Sequence, residues 1–247
     1  MRVALVTGAT KNIGYAIASA LADSGVAVAL NGRDAAAVEA ATERLSQTGA
    51  TVAPAVGDIS SEEGVRTLVD GVLERFGQVD ILVNNAGVRA HGPLVETDLA
   101  DWQAVMDTVL TGAFLTTRAL LGGMCDRSWG RIVNIAGVSG QSGAADRVAV
   151  VAAKSGVIGL TKATAHEAAA QGVTANAISP GLIDTQRSRT LGDTAVADAH
   201  YKRMAAAVPL HRQGDVSEVG SLCAYLCSQQ AGFITGQVYA INGGVYM

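Results

Sequence analysis

The stretch Thr7-Gly8-Ala9-Thr10-Lys11-Asn12-Ile13-Gly14 decides how this chain of 247 residues folds. It follows the short apolar run Val3-Ala4-Leu5-Val6, which is typical of a strand buried on both faces. A stretch with helical spacing, 13–24, comes next and is ended by Gly25. Glycine in such a turn lets the backbone approach an anion, and the helix N-terminus offers free N–H groups to it. Two glycines alone are a weak signal, because tight strand–helix turns also use glycine for geometry.

The rest of the chain repeats the alternation of apolar strand and helix. Further strands are predicted at 26–30, 51–55, 80–83, 131–135, 173–178 and 237–241. Helices are predicted at 35–47, 60–76, 102–124 and 148–170. This alternation implies right-handed crossovers and an α/β fold with a doubly wound parallel sheet, Rossmann-like, in a single domain spanning 1–247. The segment 185–209 interrupts the rhythm and is Arg-rich at its start, so it is predicted to be a lid over a pocket.

Composition excludes several classes of protein. Hydrophobic residues make up 49% of the chain and charged ones 16%, which excludes a disordered chain. The net charge of −4 predicts no nucleic-acid partner. Three cysteines are too few for a disulfide framework, and Cys223 and Cys227 are interpreted as core residues rather than metal ligands. We expect no metal site, no apolar run near the roughly 18 residues of a membrane span, no signal peptide and a cytoplasmic location.

Polar and glycine-containing landmarks follow successive strands, at the sheet edge where ligands of open α/β sheets bind. They are Asp58-Ile59, Asn84-Asn85-Ala86-Gly87 and Pro180-Gly181-Leu182-Ile183-Asp184-Thr185. In this order and spacing the chain resembles the short-chain dehydrogenase/reductase family, in its ketoacyl-reductase-like branch, down to Ile234-Thr235-Gly236 and Asn242-Gly243-Gly244. The resemblance implies a nicotinamide dinucleotide site made of Gly8, Thr10, Lys11, Asn12, Ile13, Gly14, Arg33, Asp58, Ile59, Asn85, Ala86, Gly87, Lys154, Pro180, Gly181, Ile183 and Thr185.

The choice of cofactor is predicted from the end of the second strand. NAD-preferring members resemble one another in an acidic residue there, and this chain has Gly32 followed by Arg33. An arginine can hold a 2′-phosphate, and Lys11 adds a second cation at the same corner, so NADP(H) is predicted in preference to NAD(H). Asp34 is interpreted as a helix N-cap. The family usually has glycine where Asn12 stands, but asparagine tolerates left-handed backbone.

The side chains of the family's catalytic machinery are mostly missing. The resemblance places the lysine at Lys154, the proton-donating tyrosine at Val150, the carbonyl-binding serine at Gly137 and the asparagine of the proton relay at Val109. Valine and glycine have no side-chain donor, and a general acid typically supplies about 10²–10⁴-fold in rate. Ordinary carbonyl reduction is therefore predicted to be absent or very slow.

Three functions remain open. The first is a divergent enzyme that performs cyclisation, isomerisation or an unusual reduction on an apolar small molecule. The second is a non-catalytic NADP(H)-binding or regulatory partner of an active homologue. The third is a ketoreductase with a rewired proton donor, for which His91 and Ser139 are the candidates, although an extended chain would displace Ser139 by about 6–7 Å. Lys154 is expected to hold the nicotinamide ribose or, in an apolar pocket, to act as a nucleophilic amine.

Quaternary structure follows from the resemblance as well, which implies a homotetramer. The small residues of helices 102–124 and 148–170 suit close packing between subunits. The apolar tail Val245-Tyr246-Met247 also suggests burial.

Overall fold

Seven parallel strands form one sheet in the residues that the structure, a computed structural model, describes: 1–185 and 194–247. Their order across the sheet is β3-β2-β1-β4-β5-β6-β7. Strands β2 and β3 extend the sheet to one side of β1 and the later strands extend it to the other side, which marks a doubly wound fold. The strands are β1 Val3–Val6, β2 Ala27–Gly32, β3 Val52–Val56, β4 Ile81–Asn84, β5 Gly130–Ile135, β6 Val173–Pro180 and β7 Val238–Ile241. The predicted single-domain α/β fold is confirmed, and every predicted strand is present within two residues of its predicted ends.

Helices cover both faces of the sheet. They are α1 Asn12–Asp23, α2 Ala35–Ser46, α3 Glu62–Phe76, α4 Leu99–Met106, α5 Gly112–Asp126, α6 Ser139–Ser142, α7 Val148–Ala168, α8 Thr194–Ala206 and α9 Val216–Leu226. One buried cluster joins α1, α2 and α9 to the sheet through residues such as Ile17, Leu45 and Leu226. A second cluster joins α3, α5 and α7 to the opposite face through residues such as Leu68 and Leu115.

The predicted helix 102–124 is wrong in its bounds and in its regularity. The helical segment begins at Leu99, directly after Asp98, and contains a π-helical turn at Asp107–Thr111 between α4 and α5. A π-turn adds one residue to a helical turn and is common next to functional sites. It carries Val109 into an apolar cluster with residues of α4 and α7, where only 3% of Val109 is exposed.

Two helical segments, Leu99–Asp126 and Val148–Gln171, are long and apolar enough to cross a membrane by length and composition. Neither segment is an uninterrupted apolar run of that length, because charged residues such as Asp107 and Lys154 interrupt both. Both segments pack one face against the sheet, and core helices of that kind satisfy the same criterion.

A buried polar network ties the two central strands to the helices of the second face. Asn84 Nδ2 donates to Asn134 Oδ1 at 2.8 Å, and Asn134 Nδ2 donates to Thr161 Oγ1 at 2.8 Å. Thr116 Oγ1 donates to Asn84 Oδ1 at 2.7 Å. Because all four side chains are buried, each amide depends on its neighbours for its hydrogen bonds. The network fixes how α5 and α7 sit on β4 and β5.

We expect Asn134→Ala to lower the free energy of unfolding by about 2–4 kcal/mol, because it leaves a small cavity and buried polar groups without partners. Urea unfolding followed by circular dichroism measures the change. Thr67→Ala, on the exposed face of α3, is the control and should stay within about 0.5 kcal/mol of the wild type. A loss below about 1 kcal/mol for Asn134→Ala would show that the network does not hold the helices.

Candidate cofactor and substrate site

The turn after β1 is held against the end of β4. Asn85 Nδ2 donates to the carbonyl oxygens of Thr7 and Gly8, both at 2.9 Å, and Thr7 Oγ1 accepts from the backbone of Asn85 at 3.0 Å. A Cβ on Gly8 would lie 2.8 Å from Ala86 Cα, and one on Gly14 would meet the Gly8 carbonyl oxygen. Glycine is therefore required at both positions by close backbone approach.

Asn12 adopts the left-handed conformation that the sequence analysis allows for it, with φ of +53°. It is the first residue of α1, whose N-cap, Lys11, makes no side-chain capping bond. The N-termini of α2, α3 and α9 are instead capped by Asp34, Ser61 and Asp215. The open N-terminus of α1 and the glycine turn before it suit the pyrophosphate of a dinucleotide.

The predicted cofactor-discriminating corner lies at the ends of β2 and β3. A Cβ on Gly32 would lie 2.8 Å from Cγ2 of Thr10 and of Val38, so the turn leaves little room for a carboxylate there. The predicted cap is confirmed, since Asp34 Oδ1 accepts from Ala37 N. The pKa of Asp58 is lowered, chiefly by the hydrogen bond from the backbone of Ser60 and, to a lesser extent, by the positive charge of Arg33. Arg33 therefore lies near Asp58 without forming an ion pair with it among the described residues.

A cavity of about 540 Å³ opens beyond the glycine turn, along the carboxyl ends of the strands. Its walls come from the loops after β4, β5 and β6, from α7 and α8, and from the C-terminal tail. The lining includes the predicted cofactor residues Ile13, Asn85, Gly87, Lys154, Pro180, Gly181, Ile183 and Thr185. The predicted residues Gly8, Thr10, Lys11, Asn12, Gly14, Arg33, Asp58, Ile59 and Ala86 lie outside this lining, at the turn after β1, after the ends of β2 and β3 and, for Ala86, after β4.

Lys154 is the ionisable group at the floor of the cavity. It projects from α7, and its Nζ donates to the carbonyl oxygen of Ile135 at the end of β5. Burial lowers the pKa of Lys154 from its ordinary value of 10.5 to about 8. Among the described residues no carboxylate is paired with it, so desolvation is not offset by an opposite charge.

Comparison with known proteins adds sequence evidence to this geometry. Residues 8–246 match the family model described as "Enoyl-(Acyl carrier protein) reductase". The chain is 38% identical to a 3-oxoacyl-[acyl-carrier-protein] reductase of Vibrio cholerae, with 100% of this chain and 98% of that protein covered. It is 37% identical to an acetoacetyl-CoA reductase of Cupriavidus necator over the same shares of both chains. The chain belongs to the short-chain dehydrogenase/reductase family.

A solved member of the family shares the fold over nearly the whole chain. A putative gluconate dehydrogenase from Agrobacterium tumefaciens superposes with a TM-score of 0.92 at 34% identity. The match covers 99% of this chain and 95% of the other. The match agrees with the sheet order and helix layers described above.

The positions that the resemblance assigns to the family's catalytic side chains lie close together. Gly137 and Val150 line the cavity beside Lys154, whereas Val109 is buried behind Val150 in a common apolar cluster. Gly137 has φ of +104°, a conformation that residues with a side chain rarely adopt. The loop after β5 is therefore shaped for glycine at this position.

The two candidate substitutes both line the cavity. Ser139 does not follow Gly137 on an extended chain. The chain turns after Gly137 into α6, whose first residue is Ser139. His91 lies in the loop after β4, on the same cavity wall as Arg89. The condition under which Ser139 is expected to lie too far from the site, an extended chain, is therefore not met.

Several lining residues carry little sequence signal. Asp146, just before α7, has φ of +58°, and Arg147 takes the N-cap position of α7 without a side-chain bond. Arg147 also lines the cavity. Tyr201 and Met204 of α8 and Val245 of the tail also line it, and nothing in the local pattern marks them. Residues 186–193 of the predicted lid 185–209 lie outside the described residues.

The lowered pKa of Lys154 should make stability depend on pH. Between about 8 and 10.5 the unfolded chain keeps the proton that the folded chain releases, so the free energy of unfolding of the wild type should rise relative to Lys154→Met by about 1 kcal/mol per pH unit. Below pH 8 both states are protonated and the difference should be constant. Chemical unfolding from pH 7 to 10 measures it.

Lys162→Met is the control, because Lys162 is exposed on the same helix. Its unfolding free energy should run parallel to that of the wild type over the whole range. Parallel profiles for Lys154→Met as well would contradict the burial of the Lys154 charge.

Proposed function

We propose that this protein is a divergent short-chain dehydrogenase/reductase that binds NADP(H) and has little activity on ordinary ketones. Its chemistry is cyclisation, isomerisation or an unusual reduction of an apolar small molecule. The observation that carries the proposal is Val150, which stands in the cavity one turn before Lys154 on α7. A valine there has no proton to donate, and Gly137 beside it offers no side chain to hold a carbonyl oxygen.

The residues present fit the nicotinamide cofactor. The turn from Gly8 to Gly14 and the open N-terminus of α1 suit the pyrophosphate, and Arg33 with Lys11 suits a 2′-phosphate. When bound, the cofactor would supply or accept a hydride. Lys154 would then hold the nicotinamide ribose, and the apolar wall of Val150 and Ile135 would exclude water from the hydride path.

A second function is favoured by the position of His91. It lines the same cavity as Val150 and carries an imidazole, which can donate or accept a proton, so it is a candidate proton donor of a rewired ketoreductase. Ser139 would take the role of the carbonyl-binding hydroxyl in that reaction. This function requires turnover that His91→Ala removes.

Assembly and location are further parts of the proposal. Exposed apolar side chains at the start of the α4–α5 segment, Leu94, Val95 and Leu99, and at the end of the tail, Met247, support a homotetramer. The three cysteines are free, as expected in a reducing cytoplasm. We propose a cytoplasmic homotetramer that binds no nucleic acid, membrane or metal. The described residues hold no group of three potential metal ligands.

The cofactor preference is tested by titrating NADP(H) and NAD(H) by calorimetry. NADP(H) should bind more tightly, and Arg33→Ala should weaken it by about 1.5–3 kcal/mol while leaving NAD(H) unchanged. Arg66→Ala, an exposed arginine on α3, is the matched control and should change neither. Equal affinities for the two cofactors in the wild type would overturn the preference.

The proposed loss of ordinary chemistry is tested by turnover on a panel of simple and aromatic ketones with NADPH. The wild type and Val150→Tyr should show little activity, because a tyrosine alone leaves the carbonyl unclamped. The triple change Val109→Asn, Gly137→Ser and Val150→Tyr should recover far more than the sum of its parts, since residues that act as a unit are non-additive. Wild-type turnover of about 1–10³ s⁻¹ would contradict the proposal.

Two controls separate chemistry from folding in this series. Val151→Tyr places a tyrosine on the neighbouring residue of α7, which is outside the cavity lining, and should not gain activity. The melting temperature of each variant is needed because serine at position 137 is strained at φ of +104°. If wild-type activity is present and His91→Ala abolishes it, the rewired ketoreductase is the correct function.

A further inference from the structure

The cavity is lined by positively charged side chains that are not among the predicted cofactor-binding residues. Arg89 of the loop after β4 and Arg147 at the start of α7 both line it. Neither guanidinium forms a hydrogen bond or an ion pair with another described residue. No aspartate or glutamate is among the described lining residues. Two arginines without partners beside a partly apolar cavity are a charge arrangement that an anion would complete.

Backbone hydrogen bonding brings the two arginines to the same end of the cavity. Gly92 N donates to the carbonyl oxygen of Asp146 at 3.0 Å, so the loop that carries Arg89 is joined to the loop that carries Arg147. The side chain of Asp146 is exposed and is not part of the cavity lining. The bond therefore fixes the spacing of the two loops without placing a carboxylate between the cations.

The phosphates of the cofactor are expected elsewhere. Lys11 and Arg33, the cations proposed for the 2′-phosphate, lie outside the cavity lining, and the uncapped N-terminus of α1 suits the pyrophosphate. Arg89 and Arg147, by contrast, are among the residues that line the cavity. An anion at Arg89 and Arg147 would consequently belong to the substrate.

The remaining wall of the cavity indicates the polarity of the rest of that substrate. Apolar side chains from four parts of the chain line it, namely Val88, Leu182, Met204, Val208 and Val245. Such a wall suits an aromatic or aliphatic body rather than a sugar.

We propose that the substrate of this site has an apolar body and an anionic group, a carboxylate or a phosphate, held by Arg89 and Arg147. The proposal rests on the function proposed above, because it assigns the substrate end of the same cavity. An arginine binds either anion through paired N–H donors, so the two arginines select charge and shape together.

Calorimetry on the NADP⁺-loaded protein with three matched probes tests the proposal. The probes are 2-naphthoate, 2-naphthyl phosphate and the neutral 2-naphthamide, which share one apolar body. At least one anion should bind about tenfold or more tightly than the amide. Which anion binds more tightly distinguishes a carboxylate from a phosphate as the natural group.

The variant Arg89→Gln/Arg147→Gln should remove this preference and leave the affinity for the amide unchanged. Arg66→Gln is the matched control and should keep the wild-type preference. Equal binding of all three probes to the wild type would overturn the proposal, as would no binding of either anion at about 1 mM. Persistence of the preference in the double variant would overturn it too, because the anion would then be held by other groups.

Titration of NADP⁺ without a probe keeps the two proposals apart. Normal NADP⁺ binding without anion preference contradicts the arginine site and leaves the proposed function standing. Failure to bind NADP⁺ contradicts the proposed function, and the probes are then compared on the cofactor-free protein.

Discussion

The close approach of the Gly8 turn to the loop after β4 is the constraint on which the rest of the site depends. The side-chain amide of Asn85 donates to the carbonyl oxygens of both Thr7 and Gly8. Any side chain at Gly8 would clash with the backbone of Ala86. The contact lies between the ends of β1 and β4, where the order of the strands in the sheet reverses. The N-terminus of α1 and the cavity both border this contact, because Ile13 and Asn85 line the cavity.

Much of the fold and of the turn after β1 could be predicted from local patterns. The apolar runs of β1, β4 and β6 are short and continuous, and the glycines and Asp58 follow strands at fixed places, so sheet order and the ligand edge follow from general rules. The left-handed Asn12 and the Asp34 cap were also within reach, because both depend on neighbours in sequence. The π-turn cannot be predicted in this way, since it is set by how α4 and α5 pack.

The lining of the cavity is harder to predict for the same reason. Arg147 reads as a solvated charge when α7 is considered alone, and it becomes part of the cavity only through the pairing of two loops distant in sequence. The position of Ser139 depends on a turn that begins with a positive φ at Gly137, which no apolar period reveals. Tyr201, Met204 and Val245 reach the cavity from elements that come late in the chain and are placed by tertiary packing.

Gly137 also restricts the routes by which this site can change. Its backbone conformation, at φ of +104°, penalises every L side chain, so a single substitution there acts on the loop before it acts on any ligand. Since Val138 and α6 continue directly from this residue, a new functional group at that corner requires the backbone and the side chain to change together. A side chain at Val150 can change without this penalty, because Val150 belongs to the helix α7, whose backbone conformation any L residue adopts.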